Sequence, residues 1–442
     1  MQKFVLSLVL STTLLAGTAE AGQPPDDTPA SWSARQAVAF AITHNPDSTI
    51  ARQAIAEAQA QADMAAAADY PLVNVSAEYG QTNNPMYSFG NILNQGAFDN
   101  TIDFNDPGRT DNLQVKTEVR YRVYNGGRDR AEQNAAAARI GLSETDLATV
   151  QRQLAYEVVK TFQAIIQAEE MVTVRNEEFS AIGAALEVGR ARYEAGDLLR
   201  QDLLNLELQQ ARASENLILS RHTLELTKRS FSNLLGLQGG NVEIDRSNGS
   251  NQEVPEHIDY RNRHELQKIA AMEQAAAAGL QKAEGGRMPT VDAFAGYQLD
   301  NGFVKDESGD SWLAGVRLNY ELFDGHRTSA GIAGARIALQ KIEGLRQKTE
   351  LALDLEVQHA LLEYRQAEER LNVTGKMVGV ADEAARLSRA RFKEGVILAS
   401  DLIDLEMRLT DARARQLSAE AGYRVAIANL RRATGLEQFP DK

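Results

Sequence analysis

Polar and apolar residues alternate strictly in four segments of the chain, two in each half. The segments cover residues 73–79, 113–123, 291–299 and 316–322. A period of two residues is typical of β-strands, and each segment has one apolar and one polar face. Tyrosines lie on the apolar faces, where a transmembrane β-barrel would place an aromatic girdle at the lipid–water interface: Tyr79, Tyr121, Tyr297 and Tyr320.

The alternation is compatible with two kinds of sheet. A soluble sheet packs its apolar face on a core, whereas a transmembrane strand of about 9–11 residues turns that face to lipid. The chain offers no further strands to complete a soluble sheet, which favours the membrane. Four strands cannot close a barrel, and an open edge in lipid leaves backbone groups without partners. If the strands span a membrane, several chains must share one barrel.

Long helices are predicted between the strand pairs. Residues 131–194 contain no proline and few glycines, and as one helix they would extend about 95 Å. Gly196 and Gly395 end the two long helices, and a second helix then returns to Leu235 or Thr434. Spacings of three and four alternate along the first returning helix, which predicts coiled-coil packing. This seam consists of Leu203, Leu206, Gln210, Ala213, Leu217, Ser220, Leu224, Thr227, Phe231 and Leu234.

Shorter helices are predicted before each first strand, at residues 32–69 and 257–284. A returning helix and one of these shorter helices, stacked end to end, match the length of one long helix. The pattern therefore predicts a mainly α-helical protein with a small β part, in which long antiparallel helices extend from β-hairpins.

The two halves of the chain are copies of one another. The segments 121–128 and 320–327 match at an offset of 199 residues, as do Asp202 and Asp401. The first strands match at a different offset, because residues 81–111 contain 19 residues more than their counterpart at about 300–311. A segment that tolerates 19 extra residues is predicted to be a surface loop. We predict a first repeat at 22–240 with its hairpin at 70–124, and a linker at 241–256. The second repeat then covers 257–442, with its hairpin at 288–323.

Composition and charge exclude several classes of function. A net charge of −14 leaves no basic patch for nucleic acid. Residues 1–21 have the charged start, short apolar stretch and Ala-Glu-Ala site of an export signal. The six histidines are scattered, there is no cysteine, and no nucleotide-binding or nucleophile motif occurs. We therefore expect no catalytic site, no metal and no cofactor.

These features resemble the TolC family of outer-membrane efflux proteins over essentially the whole mature chain. The residues that carry the resemblance are His44-Asn45-Pro46, the strand prolines Pro71 and Pro289, the turn at 323–327 and the segment 395–406. The resemblance implies a homotrimer with a twelve-stranded transmembrane barrel, to which each subunit gives four strands. The barrel would continue into a periplasmic α-helical coiled-coil barrel.

The resemblance also implies partners and a function. Such channels contact outer-membrane lipid and dock on a periplasmic adaptor (membrane fusion) protein and an inner-membrane pump of the RND or ABC type. They conduct drugs, metals, metabolites or proteins passively in efflux or type I secretion. The sequence does not separate these cargoes. The alternative from another class is a soluble periplasmic coiled-coil scaffold without a pore.

Acidic residues near the helix tips are candidates for a pore constriction. Asp401 and Asp404 lie three residues apart and share a helix face, and Asp202 matches Asp401 in the first repeat. By the resemblance, three copies would form acidic rings that attract cations. The alternative is that an aspartate near a helix start complements the helix dipole.

The tip turns carry the remaining site predictions. In the best-known member of the family, a tyrosine and an arginine hold the tunnel shut, but the matching positions here are Phe392 and Ile397, which cannot make those bonds. An apolar constriction is the expected replacement. The tips are also where family members receive adaptor hairpins, although they could simply cap their own helices. The tip residues are Gly196, Asp197, Leu198, Gly395, Val396 and Ile397.

Overall fold

A computed structural model describes residues 29–239, 242–246 and 252–440, so the predicted export signal at 1–21 lies outside the described residues. Eight helices and four strands account for most of the described chain. They are α1 Ala34–His44, α2 Pro46–Ala66, β1 Leu72–Thr82, α3 Pro85–Asn94, β2 Thr110–Tyr124, α4 Arg128–Glu194, α5 Arg200–Leu234, α6 His264–Gly285, β3 Thr290–Gly302, β4 Glu307–Asn319, α7 Arg327–Lys393 and α8 Ala399–Ala433. The mainly helical fold with a small antiparallel sheet agrees with the sequence prediction.

The strands form one antiparallel sheet in the order β1-β2-β3-β4. Directly paired residues share a face, and the register runs from Val73 through Val119 and Ala295 to Ala314. The apolar positions of the predicted segments that take part in this pairing therefore lie on one face. Strands β1 and β4 are the edges of the sheet. Each edge presents a row of backbone groups with no ladder partner in the described chain.

Two predictions about the second hairpin are wrong. Strand β4 begins at Glu307 rather than near residue 312, because pairing with β3 continues to a short turn at 303–306. Strand β4 also ends at Asn319, which pairs with the first residue of β3, Thr290. Tyr320 and Leu322 have no partner strand and lie beyond the sheet, so Tyr320 is not part of an aromatic face.

The extra residues of the first hairpin were predicted as a surface loop, but they include helix α3. Asn84 caps this helix, since its side-chain oxygen accepts a hydrogen bond from the backbone N–H of Met86 at 3.1 Å. Pro85 occupies the first helical position, where its missing N–H costs nothing.

The helices form a wall that is one helix thick. Helices α4 and α7 have 67 residues each, and at about 1.5 Å per residue they extend roughly 100 Å. Helix α4 packs against α2 and α6 near the sheet and against α5 and α8 far from it. Helix α7 packs against α6 and α8. Every position of the predicted seam of α5 is buried or partly buried, which confirms that interface.

The predicted helix boundaries near the middle of the wall need correction. The helix predicted at 32–69 is interrupted at Asn45, which caps α2 by accepting from the N–H of Asp47 at 2.8 Å. The helix predicted at 257–284 begins only at His264. Its preceding residue, Arg263, is extended, and its guanidinium donates to the carbonyl oxygens of Arg432 and Ala433 at the end of α8.

Two joints lie at this middle level, one in each repeat. Gly236 follows α5 with a positive φ of 78°, and a Cβ there would lie 2.9 Å from the carbonyl oxygen of His44. Its repeat equivalent, Gly435, follows α8 with a φ of 75°, and a Cβ there would lie 2.8 Å from the carbonyl oxygen of Asn262. Glycine is required at both positions, because any side chain would separate the stacked helices.

The largest apolar core lies beside these joints. Trp32, Phe162 and Phe231 are buried there together with residues of α1, α4 and the segment near Val242. Among the described residues, no helix is both long enough and apolar enough to cross a lipid bilayer.

Candidate functional site at the helix tips

The ends of α4 and α7 turn back in the same way. Gly196 and Gly395 adopt positive φ values of 85° and 76°, which lets the chain reverse. The N–H of Asp197 donates to the carbonyl oxygen of Arg192 at 2.8 Å, and the N–H of Val396 does the same with Arg391 at 2.9 Å. The tip backbones therefore cap their own helices.

The tip side chains divide into two groups. Leu198 and Ile397 are partly buried and pack against an apolar cluster between the hairpins. Val396, by contrast, is 71% exposed, and Leu199 and Leu398 beside the turns are similarly exposed. Capping accounts for the glycines and for the backbone, but it does not account for the apolar side chains that face water.

The apolar cluster joins the two helical hairpins of the chain. Phe392 is only 2% exposed, and it is grouped in this cluster with Leu186 and Leu206 of the first hairpin and Leu402 of the second. The ring that replaces the expected gate tyrosine is thus a core residue between hairpins. Its burial follows from packing across repeats, which the match of sequence positions did not reveal.

Arg192 makes a polar contact from its own tip to the other. Its guanidinium donates to the carbonyl oxygen of Phe392 at 3.2 Å and to that of Asp197 at 3.2 Å. The guanidinium carbon also lies 5.3 Å from the centre of the Phe392 ring, within cation–π range. Sequence reasoning missed this residue. Its partners are backbone carbonyl oxygens, which leave no mark in the sequence.

The candidate constriction residues are distributed over two of the helices. Asp401 and Asp404 are exposed on the first turns of α8, and Asp202 is partly exposed at the start of α5. The carboxylate of Asp404 forms an ion pair with Arg408 of the same helix at 2.8 Å. Asp401 has no ion pair within the described part of the chain. The i, i+4 spacing to Arg408 is visible in the sequence and was overlooked.

A charged groove lies between the hairpins next to the tips. It encloses about 550 Å³ between α4 and the pair α7 and α8. Glu406 is buried in its wall and accepts two hydrogen bonds from Arg389, at 2.5 and 2.7 Å. These bonds outweigh burial and raise the pKa of the Arg389 guanidinium. Arg413 connects the helices by pairing with Glu177 of α4 and with Asp382 of α7.

The comparison with known families decides the identity. A family profile described as "Outer membrane efflux protein" matches residues 39–237 and 260–436. The chain belongs to the outer membrane efflux protein family. The two matched blocks correspond to the two repeats.

Individual members of the family are distant relatives of this chain. The chain is 23% identical to outer membrane protein TolC of Vibrio cholerae over 332 residues, covering 70% of this chain and 72% of that protein. It is 24% identical to protein CyaE of Bordetella pertussis over 429 residues, covering 93% and 86% respectively. Its fold is also that of the Campylobacter jejuni CmeC outer membrane channel. The TM-score is 0.78 at 13% identity, covering 92% of this chain and 87% of that chain.

Family membership settles the general function. This outer membrane efflux protein is a channel for efflux or secretion in the cell outer membrane, and its long helices lie in the periplasm. The alternative of a soluble periplasmic scaffold is set aside. Within the described residues, no group of three or more metal-ligating side chains is found.

Proposed function

We propose that three copies of this chain form one continuous duct, with a twelve-stranded barrel in the membrane and a helical tunnel below it. The observation that carries the proposal is the open sheet with one apolar and one charged face. Val73, Val316 and Leu318 are mostly exposed on the apolar face, and Lys116 and Arg120 lie on the other. Lipid on one side and water on the other would satisfy both faces. Pairing of β4 with β1 of the next copy would satisfy the edges.

The edges of the helical wall support the same assembly. Helix α7 lies at one edge and exposes Leu351, Leu355 and Val380, each about 70% accessible. The opposite edge consists of α2 and α5, and it also exposes apolar side chains. These are Ile50, Met64, Leu219 and Leu226. Contact between unlike edges of successive copies would remove both apolar rows from water.

The tips are the proposed docking site for a periplasmic adaptor protein, which connects the duct to an inner-membrane pump of the RND or ABC type. Support comes from Val396 and Leu398, whose apolar side chains face water at the end of a helix pair that is already capped. The charged groove between the hairpins adds Arg413 and Glu177, which could exchange ion pairs with the adaptor. The cargo would be set by the pump.

The acidic constriction is proposed at the same end. Among the three candidates, Asp401 has the strongest claim, because its carboxylate is exposed and has no ion pair in the described chain. Asp404 already has Arg408 as a counter-ion, so it would add less negative potential. Three copies of Asp401 around the duct would attract cations. Asp202, its equivalent in the first repeat, would extend the ring.

Photocrosslinking tests the docking proposal. A photoreactive amino acid replaces Val396 in cells, and captured proteins are identified by mass spectrometry. The matched control replaces Val304, which is exposed in the turn at the opposite end of the molecule. We expect an adaptor and its pump from position 396 and neither from position 304. Capture of the same chain alone, from a water-soluble fraction, would overturn the proposal.

A further inference from the structure

Helix α3 and the loop behind it lie over the charged face of the sheet. The side chain of Gln95 is fully buried and donates to the carbonyl oxygen of Asp111 at 2.7 Å and to Asn112 Oδ1 at 3.1 Å. A Cβ at Gly302 would lie 2.1 Å from Gln95 Oε1, and one at Gly309 would lie 2.2 Å from the carbonyl oxygen of Asn94. Gly302 and Gly309 belong to the charged face. The segment therefore leans inward across β2, β3 and β4.

A cavity beneath the segment confirms this placement. It encloses about 480 Å³ and has Asn94 on one side and residues of the charged face on the other, including Lys116, Gln298 and Ser311. The segment is held at the end of the sheet that carries the turn at 303–306, opposite the helices. In an outer-membrane channel this is the external end.

The segment is firmly attached to the strands. The hydroxyl group of Ser88 donates to the carbonyl oxygen of Thr82 at 3.1 Å, and Asn91 donates to the hydroxyl of Thr110 at 3.1 Å. Ser88, Ile92 and Gln95 are buried and recur at helical spacing, so they form the face of α3 that meets the strands. Such a fixed segment keeps its other face in a defined direction.

Between residues 85 and 98, the remaining surface of the segment is apolar and uncharged. Met86 is 82% exposed, and Tyr87 and Leu93 are also mostly exposed. Phe89, Phe98 and Phe104 pack against one another in tilted and edge-on orientations with ring centres 4.7–6.2 Å apart, and the last two are partly exposed. No charged residue occurs between Glu78 and Asp99, although 24% of the chain is charged. This composition is unusual for a surface that faces water.

We propose that this surface, residues 85–98, binds the same segment of the two other copies, so that three segments together narrow the outer mouth of the channel. The inference rests on the trimer proposed above, which would place the charged face on the inside of the ring. Lipid cannot cover the surface, because lipid lies on the opposite face of the sheet. The lack of charge fits contact between identical copies, since like charges meeting at a symmetry axis would repel.

Disulfide crosslinking tests the contact, and the absence of cysteine from the chain makes each introduced thiol unique. Met86→Cys and Leu93→Cys are oxidised in purified protein, with Val316→Cys on the apolar face of the sheet as the control. We expect disulfide-linked dimers within intact trimers from positions 86 and 93, and none from position 316. Intact trimers without dimers at both positions would overturn the inference. If the purified wild-type chain does not form trimers, the proposed function is overturned instead.

Access from outside provides a second measurement. Ser311→Cys places a thiol in the cavity under α3, and bulky membrane-impermeant maleimides are added to intact cells. Adding Leu93→Asp puts like charges at the contact, and we expect labelling at position 311 to become about tenfold faster. Asp306→Cys in the external turn should react equally in both backgrounds. An unchanged labelling rate at position 311 would contradict the contact between copies. So would quenching of a fluorophore attached at position 93 by brominated lipid, because it would show that this position faces lipid.

Discussion

Arg192 of the first hairpin donates a hydrogen bond to the carbonyl oxygen of Phe392 in the second, across 3.2 Å and 200 positions of sequence. The repeat equivalent of Arg192 is Arg391, which is exposed and makes no such contact between the hairpins in the described chain. The duplication thus placed an arginine at both tips, and only the first connects the hairpins. Any movement that separates the tips must break this bond and uncover the Phe392 ring.

Removing Arg192 should favour the open tips. A hydrogen bond from a charged donor contributes about 1.5 kcal/mol, which corresponds to about a tenfold change in the ratio of closed to open channels. We expect Arg192→Ala to raise the open probability in planar bilayers by about that factor. Arg391→Ala is the matched control and should leave it unchanged. Equal behaviour of the two variants would show that the bond does not hold the tips together.

Glu406 should contribute to stability more than its repeat equivalent, Glu207. The side chain of Glu406 is 6% exposed and is paired with Arg389, whereas Glu207 lies 4.0 Å from Arg190 at the surface. We expect Glu406→Ala to lower the free energy of unfolding by about 2 kcal/mol. This is less than for a fully buried pair, because Arg389 is half exposed. Glu207→Ala should cost less than about 0.5 kcal/mol. Urea unfolding of the two variants compares them directly.

The two aspartates of α8 should differ in their effect on cation block. Asp401→Asn removes an exposed negative charge, so block of the channel by divalent cations should weaken by several-fold. Asp404→Asn removes a charge that is already paired with Arg408 and should have a smaller effect. Single-channel currents with added Mg²⁺ measure both. A larger effect at position 404 would place the constriction one turn further along the helix than we propose.

The middle of the wall should lose stability in mild acid. Burial, assisted by the positive charge of Arg152, lowers the pKa of His264 from its usual 6.5. The unfolded chain therefore takes up a proton at this position before the folded chain does. The contribution of His264 to the free energy of unfolding is fully present above pH 6.5 and is lost as the pH decreases below that value. The nearby Glu265, whose pKa is lowered by Arg263 despite burial, titrates below 4.5 and does not interfere.

Trp32 reports on this region, because it is buried in the same core. With Trp312→Phe it becomes the only tryptophan, since the chain contains two. We expect the urea midpoint from Trp32 fluorescence to be lower at pH 5.5 than at pH 7.5. His264→Gln should reduce that difference. A pH dependence that is unchanged in the variant would assign the effect to another group.

The sequence was sufficient to predict the large elements, because their signals repeat. Alternation in four segments gave the sheet and its apolar face, and the lack of breakers between residues 131 and 194 gave helix α4. Errors occurred where a single contact decides the structure. Strand β4 stops at Asn319 because its partner begins at Thr290, although the alternation itself continues to Leu322.

The candidate site was less predictable, and the reasons differ between residues. The aspartates were located by their helix-start positions, but the pairing of Asp404 with Arg408 changes what each can contribute. Phe392 was identified as a position where a phenylalanine cannot make the hydrogen bonds of the gate tyrosine. Its burial could not be predicted, because it depends on leucines of the other repeat. Arg192 binds backbone oxygens, for which no residue type is diagnostic. Contacts between repeats require a structure.

The two glycine joints at Gly236 and Gly435 have a mechanical consequence. At their level, the columns built from α5 and α8 are interrupted, while α4 and α7 continue without a break. A force that bends the duct would therefore act mainly at this level. There, two continuous helices of each chain would resist bending, and the two interrupted helix stacks beside them would not. A tilt of the half of the wall that carries the tips would bend α4 and α7, and the elastic energy of these two helices would oppose it.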